Sequence, residues 1–197
     1  YHVRLSFHPD QFVVINSPKK EVVENSIQDL EYHNTVAKLL NADVINIHAG
    51  GAYGDKKSAL QRFKTNFNYL SSELRSRLTL ENDDKIFVPS DLLPISHELK
   101  VPLVYDIHHH RCVLSGTKWD MNIDETSKLC YRTWNREPMF HLSSPLNGWS
   151  GRNKRSHHNY INVEDFPEQW KNLTPLTIDI EAKAKEDAIK KLLTEID

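Results

Sequence analysis

The chain has 197 residues, of which 39% are hydrophobic and 26% charged, as is usual for a globular protein and unlike a disordered one. A net charge of -2 argues against a globally basic nucleic-acid binder, although bound divalent cations would supply positive charge where a phosphate sits. No apolar run reaches the roughly 18 residues that cross a bilayer. The 2 cysteines, Cys112 and Cys130, predict reduced cytoplasmic thiols rather than a disulfide framework.

Short apolar runs recur along the chain, and each leads into a side chain that can bind a metal ion. Runs of this length that are rich in Val, Ile, Leu or Phe predict buried parallel strands. In chain order they are VRLSFHP, ADVINIHAGG, RLTLEND, VPLVYDIHHH, PMFHLSSP and PLTIDIEAK. Their polar ends are His8, His48, Glu81, Asp106, His141 and Glu181.

Helical patterns separate these runs. The segment SPKKEVVENSIQDLEYHNTVAKLLNA opens with Ser17 and Pro18, a common helix start, and DKKSALQRFKTNFNYLSSELRSR repeats its amphipathic pattern. Shorter helices are predicted in PSDLLPISHELK and NIDETSKLCYRTWN, and an amphipathic helix in the tail AKAKEDAIKKLLTEID.

The alternation of strands and helices predicts an α/β fold, specifically a (β/α) TIM-type barrel with six βα units. An open doubly wound sheet stays possible, but the chain has neither a G-x-G-x-x-G nor a P-loop motif. Because eight units close such a barrel, we expect two more units before Tyr1. We expect residues 1–197 to form a single, N-terminally incomplete barrel domain.

Two loops are predicted, HHHRCVLSGTKWDMNID and SSPLNGWSGRNKRSHHNYINVEDFPEQW. The second contains Arg152, Lys154 and Arg155 close to Trp149, and basic side chains beside an aromatic ring suit phosphate contacts with base stacking. Solvated loop charges explain the cluster equally well. The same two interpretations hold for Lys56, at the start of a predicted helix.

The side chains at the strand ends are imidazoles and carboxylates, without thiolates. Any one of these histidines has an ordinary structural explanation, but six strands ending in this way indicate bound cations, since buried charges need partners. The ligand set suits Mn, Zn or Fe. More than four ligands indicate more than one ion, and clustered ions can activate water for phosphodiester cleavage.

The motifs FHPDQF, INIHAGGAYGDK, LENDD, YDIHHH, HLSSP, SHHNYI and IEAKAKE resemble those of the UV damage endonucleases, in the same order and over nearly the whole chain. That family is similar in fold to endonuclease IV. The resemblance implies a monomeric DNA repair enzyme of the prokaryotic cytosol or nucleoid. It would hydrolyse the phosphodiester bond 5′ of UV photoproducts in double-stranded DNA, and also act at abasic sites.

The resemblance also implies roles for individual residues. Two or three divalent ions are expected, with Mn²⁺ first and Zn²⁺ or Fe²⁺ as alternatives. Three of the ligands, Glu81, Asp106 and Glu181, are also candidates for orienting the attacking water. The positions that match the family's metal ligands are His8, His48, Glu81, Asp106, His109, His141, His157 and Glu181.

Two positions depart from the family pattern. His157 is chosen over His158 because the pattern H-x-D-Y places the ligand three residues before the tyrosine, but Asn159 stands here in place of the aspartate. Met139 stands where the family carries a lysine that bridges metal ions. This second change puts the bridging ligand in doubt.

The stretch after His8 completes the site prediction. Gln11 and Phe12 match residues that the family inserts into the duplex at the lesion, where an amide and a ring would fill the gap left by displaced bases. The alternative makes Phe12 a core residue and Gln11 a turn residue. Two other functions stay open: a metal-dependent sugar isomerase on the same architecture, and a truncated module that binds damaged DNA without turnover.

Overall fold

The computed structural model describes residues 3–114 and 122–196. They divide into two compact units. The first unit comprises residues 3–82 and 91–103, and the second comprises residues 83–90, 104–114 and 122–196. No helix within these ranges combines the length and the hydropathy that a membrane crossing needs.

All six predicted strands are present. In the first unit, β1, β2 and β3 pair in parallel, and their register sets His48 level with Glu81. In the second unit, β4, β5 and β6 pair in parallel, with Asp106 level with His141. Parallel strands in register deliver the residues at their carboxyl ends to the same edge. The strands are β1 (Ser6–Phe7), β2 (Val44–His48), β3 (Leu78–Glu81), β4 (Leu103–Asp106), β5 (Met139–Leu142) and β6 (Thr177–Ile180).

The helices follow the predicted pattern with three differences. The segment predicted as one helix after Asp55 is two helices, because the side chain of Ser71 accepts the Leu74 amide and caps a new start. The tail helix begins only at Glu186. The helices are α1 (Lys20–Leu40), α2 (Lys56–Phe67), α3 (Ser72–Arg77), α4 (Pro89–Leu99), α5 (Ile107–Leu114), α6 (Ile123–Tyr131) and α7 (Glu186–Ile196), with 3₁₀ turns at Val163–Asp165 and Glu168–Asn172.

The third difference concerns the first predicted loop. Its beginning is helical, since α5 follows β4 directly and includes all three consecutive histidines. Residues 115–121 of that predicted loop lie outside the described residues. The helical start matters for the site, because it puts His109 within one turn of Asp106.

Each unit has its own apolar core. In the first unit, Ile45 and Leu80 on the strands and Leu30 and Phe63 on the helices are fully buried. The second unit contains an aromatic cluster, in which the rings of Tyr105, Phe140 and Trp170 lie with centroids 5.1 to 6.1 Å apart. Edge-to-face and tilted contacts of this kind add to the free energy gained by burying the rings.

The two cysteines are free thiols, as the sequence predicted. Burial raises the pKa of Cys112 to about 11, and it raises that of the fully buried Cys130 further. The thiolate is the reactive form, and both environments disfavour it.

We therefore expect both cysteines to react slowly with Ellman's reagent at pH 8 in the folded chain. The reaction should be at least about tenfold faster in denaturing urea, where the thiols regain their ordinary pKa. Absorbance of the released thiolate measures the rates, and a Cys112→Ser variant assigns them. Rapid modification of Cys112 in the folded chain would contradict its burial.

Candidate metal centre

The first unit brings three predicted ligands together, each from the end of a different strand. His8 follows β1, His48 ends β2 and Glu81 ends β3. His8 Nε2 lies 3.0 Å from Glu81 Oε2, and His48 Nε2 lies 3.9 Å from Glu81 Oε1. One ligand atom from each residue lies within 4.8 Å of the other two. This spacing allows a single cation to contact two imidazoles and a carboxylate.

The chemistry of this triad fits a divalent transition metal. The Glu81 side chain has no exposed surface, whereas the His8 side chain is 35% exposed. A fully buried carboxylate is costly unless positive charge or hydrogen bonds compensate it. Imidazole and carboxylate donors without a thiolate suit Mn, Fe or Zn. Of the three side chains, that of His8 is the most exposed to solvent.

Two residues that the sequence analysis missed hold Glu81 in place. The side-chain amide of Asn46 donates to Glu81 Oε2, and Thr79 Oγ1 in turn donates to Asn46 Oδ1 at 2.9 Å. Both side chains are buried. The sequence contained a pattern that could have identified Asn46, because it is a polar residue inside an apolar strand. It lies two residues before His48 and therefore on the same face of the strand.

Replacing Asn46 with Ala should lower the affinity of the triad for Mn²⁺ by about 10- to 100-fold, because a carboxylate that loses its hydrogen-bond donor is less well oriented. Isothermal titration calorimetry with MnCl₂ measures the affinity. Asn25→Ala, at an exposed position on α1, serves as the control. An unchanged affinity in Asn46→Ala would contradict the orienting role.

The second unit brings another set of predicted ligands together. Glu181 follows β6, and its Oε1 lies 3.1 Å from His141 Nδ1 on β5. Its Oε2 lies 3.7 Å from His157 Nδ1. The Glu181 amide donates to the carbonyl of Leu142, so the pairing of β5 with β6 continues to the ligand.

Asp106 and His109 form a separate pair in the second unit. Asp106 ends β4, and its Oδ1 accepts the His109 amide at 2.7 Å, as an aspartate at a helix start does. Asp106 Oδ2 lies 3.4 Å from His109 Nδ1. The rings of His109 and His157 lie 6.3 Å apart.

The neighbouring histidines have other contacts. His158 Nδ1 lies 3.0 Å from the carbonyl oxygen of Tyr160, while His157 faces Glu181. His110 Nδ1 lies 2.6 Å from the Tyr105 hydroxyl. The choice of His157 over His158 stays a prediction.

His108 is fully buried behind this part of the second unit. Burial lowers its pKa to about 4, and the imidazoles of His157 and His109 act in the same direction. Its ring packs edge-on against His157 at 5.2 Å and tilts against Trp149 at 5.3 Å. At neutral pH it is therefore an uncharged packing partner of two predicted ligands.

Met139 occupies the position at which the resemblance implied a lysine. It is the first residue of β5 and 4% exposed. Because side chains alternate along a strand, Met139 shares a face with His141. A thioether there offers no oxygen to bridge two ions.

Gln11 and Phe12 lie at the tip of a turn in the first unit. Phe12 is 77% exposed, so the alternative that made it a core residue is wrong. Its amide donates to Asp10 Oδ1 at 2.9 Å, and the amide of Val13 donates to the Asp10 carbonyl at 2.9 Å. The turn thus presents an amide and an aromatic ring to solvent.

The predicted DNA-binding cations lie on the surface, and some have carboxylate partners. Lys56 Nζ lies 2.7 Å from Asp91 in the first unit, and Arg155 Nε lies 3.1 Å from Asp84 in the second. Arg152 is exposed and Lys154 is half-buried. Exposed ion pairs contribute only about 0–1 kcal/mol to stability. Because so little is lost when such a pair separates, a phosphate can replace these carboxylates.

Trp149, which the sequence placed beside these cations as a stacking residue, is turned inward. Its indole Nε1 donates to Asp165 Oδ1 at 2.7 Å, and its ring lies against His108. Asp165 also accepts a 2.6 Å hydrogen bond from Ser144 Oγ. Trp149 therefore stabilises the loop in this structure.

Comparison with known proteins gives the same family by two routes. The family model described as UV-endonuclease UvdE matches residues 1–197. The UV DNA damage endonuclease of Bacillus velezensis is 38% identical over 209 residues, an alignment that covers all of this chain and 62% of that protein. The chain thus spans about three fifths of the length of that curated relative.

Two solved structures superpose on the fold described above. The crystal structure of SacUVDE superposes with a TM-score of 0.86 at 34% identity, covering 98% of this chain and 65% of that one. Endonuclease IV from Thermus thermophilus superposes with a TM-score of 0.65 at 17% identity, over 97% of this chain and 74% of that one, and shows likeness of fold alone. The predicted fold class, an α/β chain of the TIM-barrel type, is confirmed.

Proposed function

Because the chain belongs to the UV-endonuclease UvdE family, we propose that it acts as a DNA repair endonuclease that cleaves the phosphodiester bond 5′ of UV photoproducts, and also acts at abasic sites. The observation that carries the proposal is the convergence of His8, His48 and Glu81 within 4.8 Å. Its substrate is UV-damaged double-stranded DNA. The chain acts as a monomer in the cytosol or nucleoid, as a single barrel domain.

The ligands proposed for two or three divalent ions are His8, His48, Glu81, Asp106, His109, His141, His157 and Glu181. Mn²⁺ is the first choice, with Zn²⁺ or Fe²⁺ as alternatives. Such ions, when bound, polarise phosphoryl oxygens and lower the pKa of water.

The carboxylates of the chain also act in the chemistry. Glu81, Asp106 and Glu181 are ligands first, and a carboxylate oxygen at such a site also accepts a proton from water and orients it toward phosphorus. Glu181 is the best placed for this role in its unit, because its side chain is 24% exposed while that of Asp106 is fully buried.

Lesion recognition is assigned to Gln11 and Phe12. A photoproduct stacks and pairs poorly, so extruding it costs less than extruding normal bases. An exposed ring and amide at the tip of a turn suit insertion between base steps. Lys56, Arg152, Lys154 and Arg155 are proposed to contact phosphates, which gives a salt-dependent affinity that is independent of sequence.

The two alternatives predict different behaviour. A sugar isomerase would enclose a small polyol and has no use for a ring that is 77% exposed four residues after a proposed metal ligand. A damage-binding module without turnover would use the wedge but cleave nothing, and the methionine at position 139 favours that alternative. Irradiated and intact supercoiled plasmid, incubated with MnCl₂, separate the endonuclease from both alternatives, because only the endonuclease nicks, and only the irradiated plasmid. A gel shift with irradiated duplex without incision identifies the binding module, and ketose-aldose exchange identifies the isomerase.

Replacing Glu181 with Gln should abolish Mn²⁺-dependent nicking of irradiated plasmid, a loss of at least about 100-fold, because the amide removes a ligand charge between His141 and His157. Agarose gels follow the conversion to open circles. Asp179→Asn, an exposed carboxylate two residues earlier on β6, is the matched control and should nick normally. Full activity in Glu181→Gln would refute its role.

Replacing Gln11 and Phe12 together with Ala should reduce the preference for irradiated over intact duplex by about tenfold while leaving Mn²⁺ affinity unchanged. The ratio of nicking rates on the two plasmids measures the preference. The pair Gln28→Ala and Tyr32→Ala, on α1, controls for loss of an amide and a ring elsewhere. An equal loss of rate on both plasmids would speak against the wedge.

A further inference from the structure

We infer that Ser26, Arg62 and Asn66 are positioning residues for lesion recognition. They lie on α1 and α2 of the first unit, and they hold the loop that carries Gln11 and Phe12. This inference rests on the proposed function and deepens it. It assigns a share of the damage preference to helix side chains that never reach the DNA.

The loop behind the tip is buried although it has no regular structure. Residues 13–17 are all buried, yet they belong to neither β1 nor α1. A buried irregular segment cannot rely on water or on a sheet for its backbone hydrogen bonds. Its amides and carbonyls therefore need partners from the surrounding elements.

Side chains of the two helices supply these partners at three consecutive residues. The amide of Val14 donates to Ser26 Oγ at 3.0 Å. The side-chain amide of Asn66 donates to the Ile15 carbonyl at 2.7 Å, and Nε of Arg62 donates to the Asn16 carbonyl at 2.8 Å. The path of the loop is thus determined from outside it.

The loop after β2 also holds residues 13–17 in place, through a hydrogen bond to Asn16. The side-chain amide of Asn16 donates to the Gly51 carbonyl at 2.8 Å. A Cβ at Gly50, whose φ is +88°, would lie 2.2 Å from Asn16 Oδ1, so only glycine allows this approach. The loops that follow His8 and His48 are therefore joined at Asn16.

Rigidity at Val14 determines what the exposed tip can do. Phe12 is two residues from the first anchor, and the turn at Asp10 accepts the amides of both Phe12 and Val13. A ring that must separate adjacent base pairs loses less entropy on binding if its backbone is already fixed. Supporting residues that are remote from the ligand provide this pre-organisation.

Asn66→Asp is the sharpest test, because it keeps the shape of the side chain and replaces the donor with a carboxylate oxygen that faces the Ile15 carbonyl. Asn68→Asp is the matched control, since the Asn68 side-chain amide donates to the Lys64 carbonyl at the end of its own helix. Fluorescence anisotropy with irradiated and intact duplexes, without cleavage, measures both affinities. We expect the ratio of the two to fall about tenfold in Asn66→Asp and to stay unchanged in Asn68→Asp.

Nicking rates and Mn²⁺ titrations complete the experiment. Asn66→Asp should bind Mn²⁺ as the unmutated chain does, with its loss confined to the preference for damage. A second pair guards against misfolding: Ser26→Ala should lower the preference, while Ser76→Ala, whose hydroxyl donates within its own helix to Glu73, should not.

The outcomes separate the two proposals. An unmutated chain that neither prefers nor nicks irradiated DNA refutes the proposed function, and the positioning role with it. An unmutated chain with the preference, combined with an unchanged ratio in Asn66→Asp and in Ser26→Ala, refutes only the positioning role. Equal weakening on both duplexes also refutes it, because a merely structural defect would do the same.

Discussion

The burial of the Glu81 carboxylate is the constraint on which the first unit depends. A fully buried negative charge needs compensation, and here it comes from the imidazoles of His8 and His48 and from the amide of Asn46. Because these partners come from β2 and from the end of β1, while Glu81 ends β3, the parallel register of the three strands must be kept for the charge to be tolerated. The strand register that forms the sheet therefore also assembles the site.

The second unit meets the same constraint with a different arrangement. Glu181 is only partly buried and lies between two imidazoles, and Asp106 is fully buried but accepts an amide at the start of α5. An uncharged His108 fills the space behind His157. Packing a neutral imidazole there avoids a further buried cation next to residues that are suited to bind one.

Side chains that are assigned to neither metal nor DNA have a large role in the first unit. Asn46 and Thr79 orient a carboxylate, while three helix side chains hold the backbone behind Phe12. The tip is therefore highly exposed, while the buried backbone behind it has its hydrogen bonds satisfied by helix side chains. Under the proposed function, this arrangement would favour recognition of a weakly stacked lesion, because less of the loop would have to become ordered on contact.

The amino-acid sequence by itself determined the six strands, most helices and the polar residue at each strand end, because buried parallel strands are apolar runs that stop where a functional edge begins. It left Phe12 undecided between core and surface, since an aromatic residue in a turn satisfies either pattern. Only tertiary structure exposed that ring, turned Trp149 inward and paired Asn46 with Glu81. These outcomes depend on contacts between residues far apart in the chain, which local periodicity does not encode.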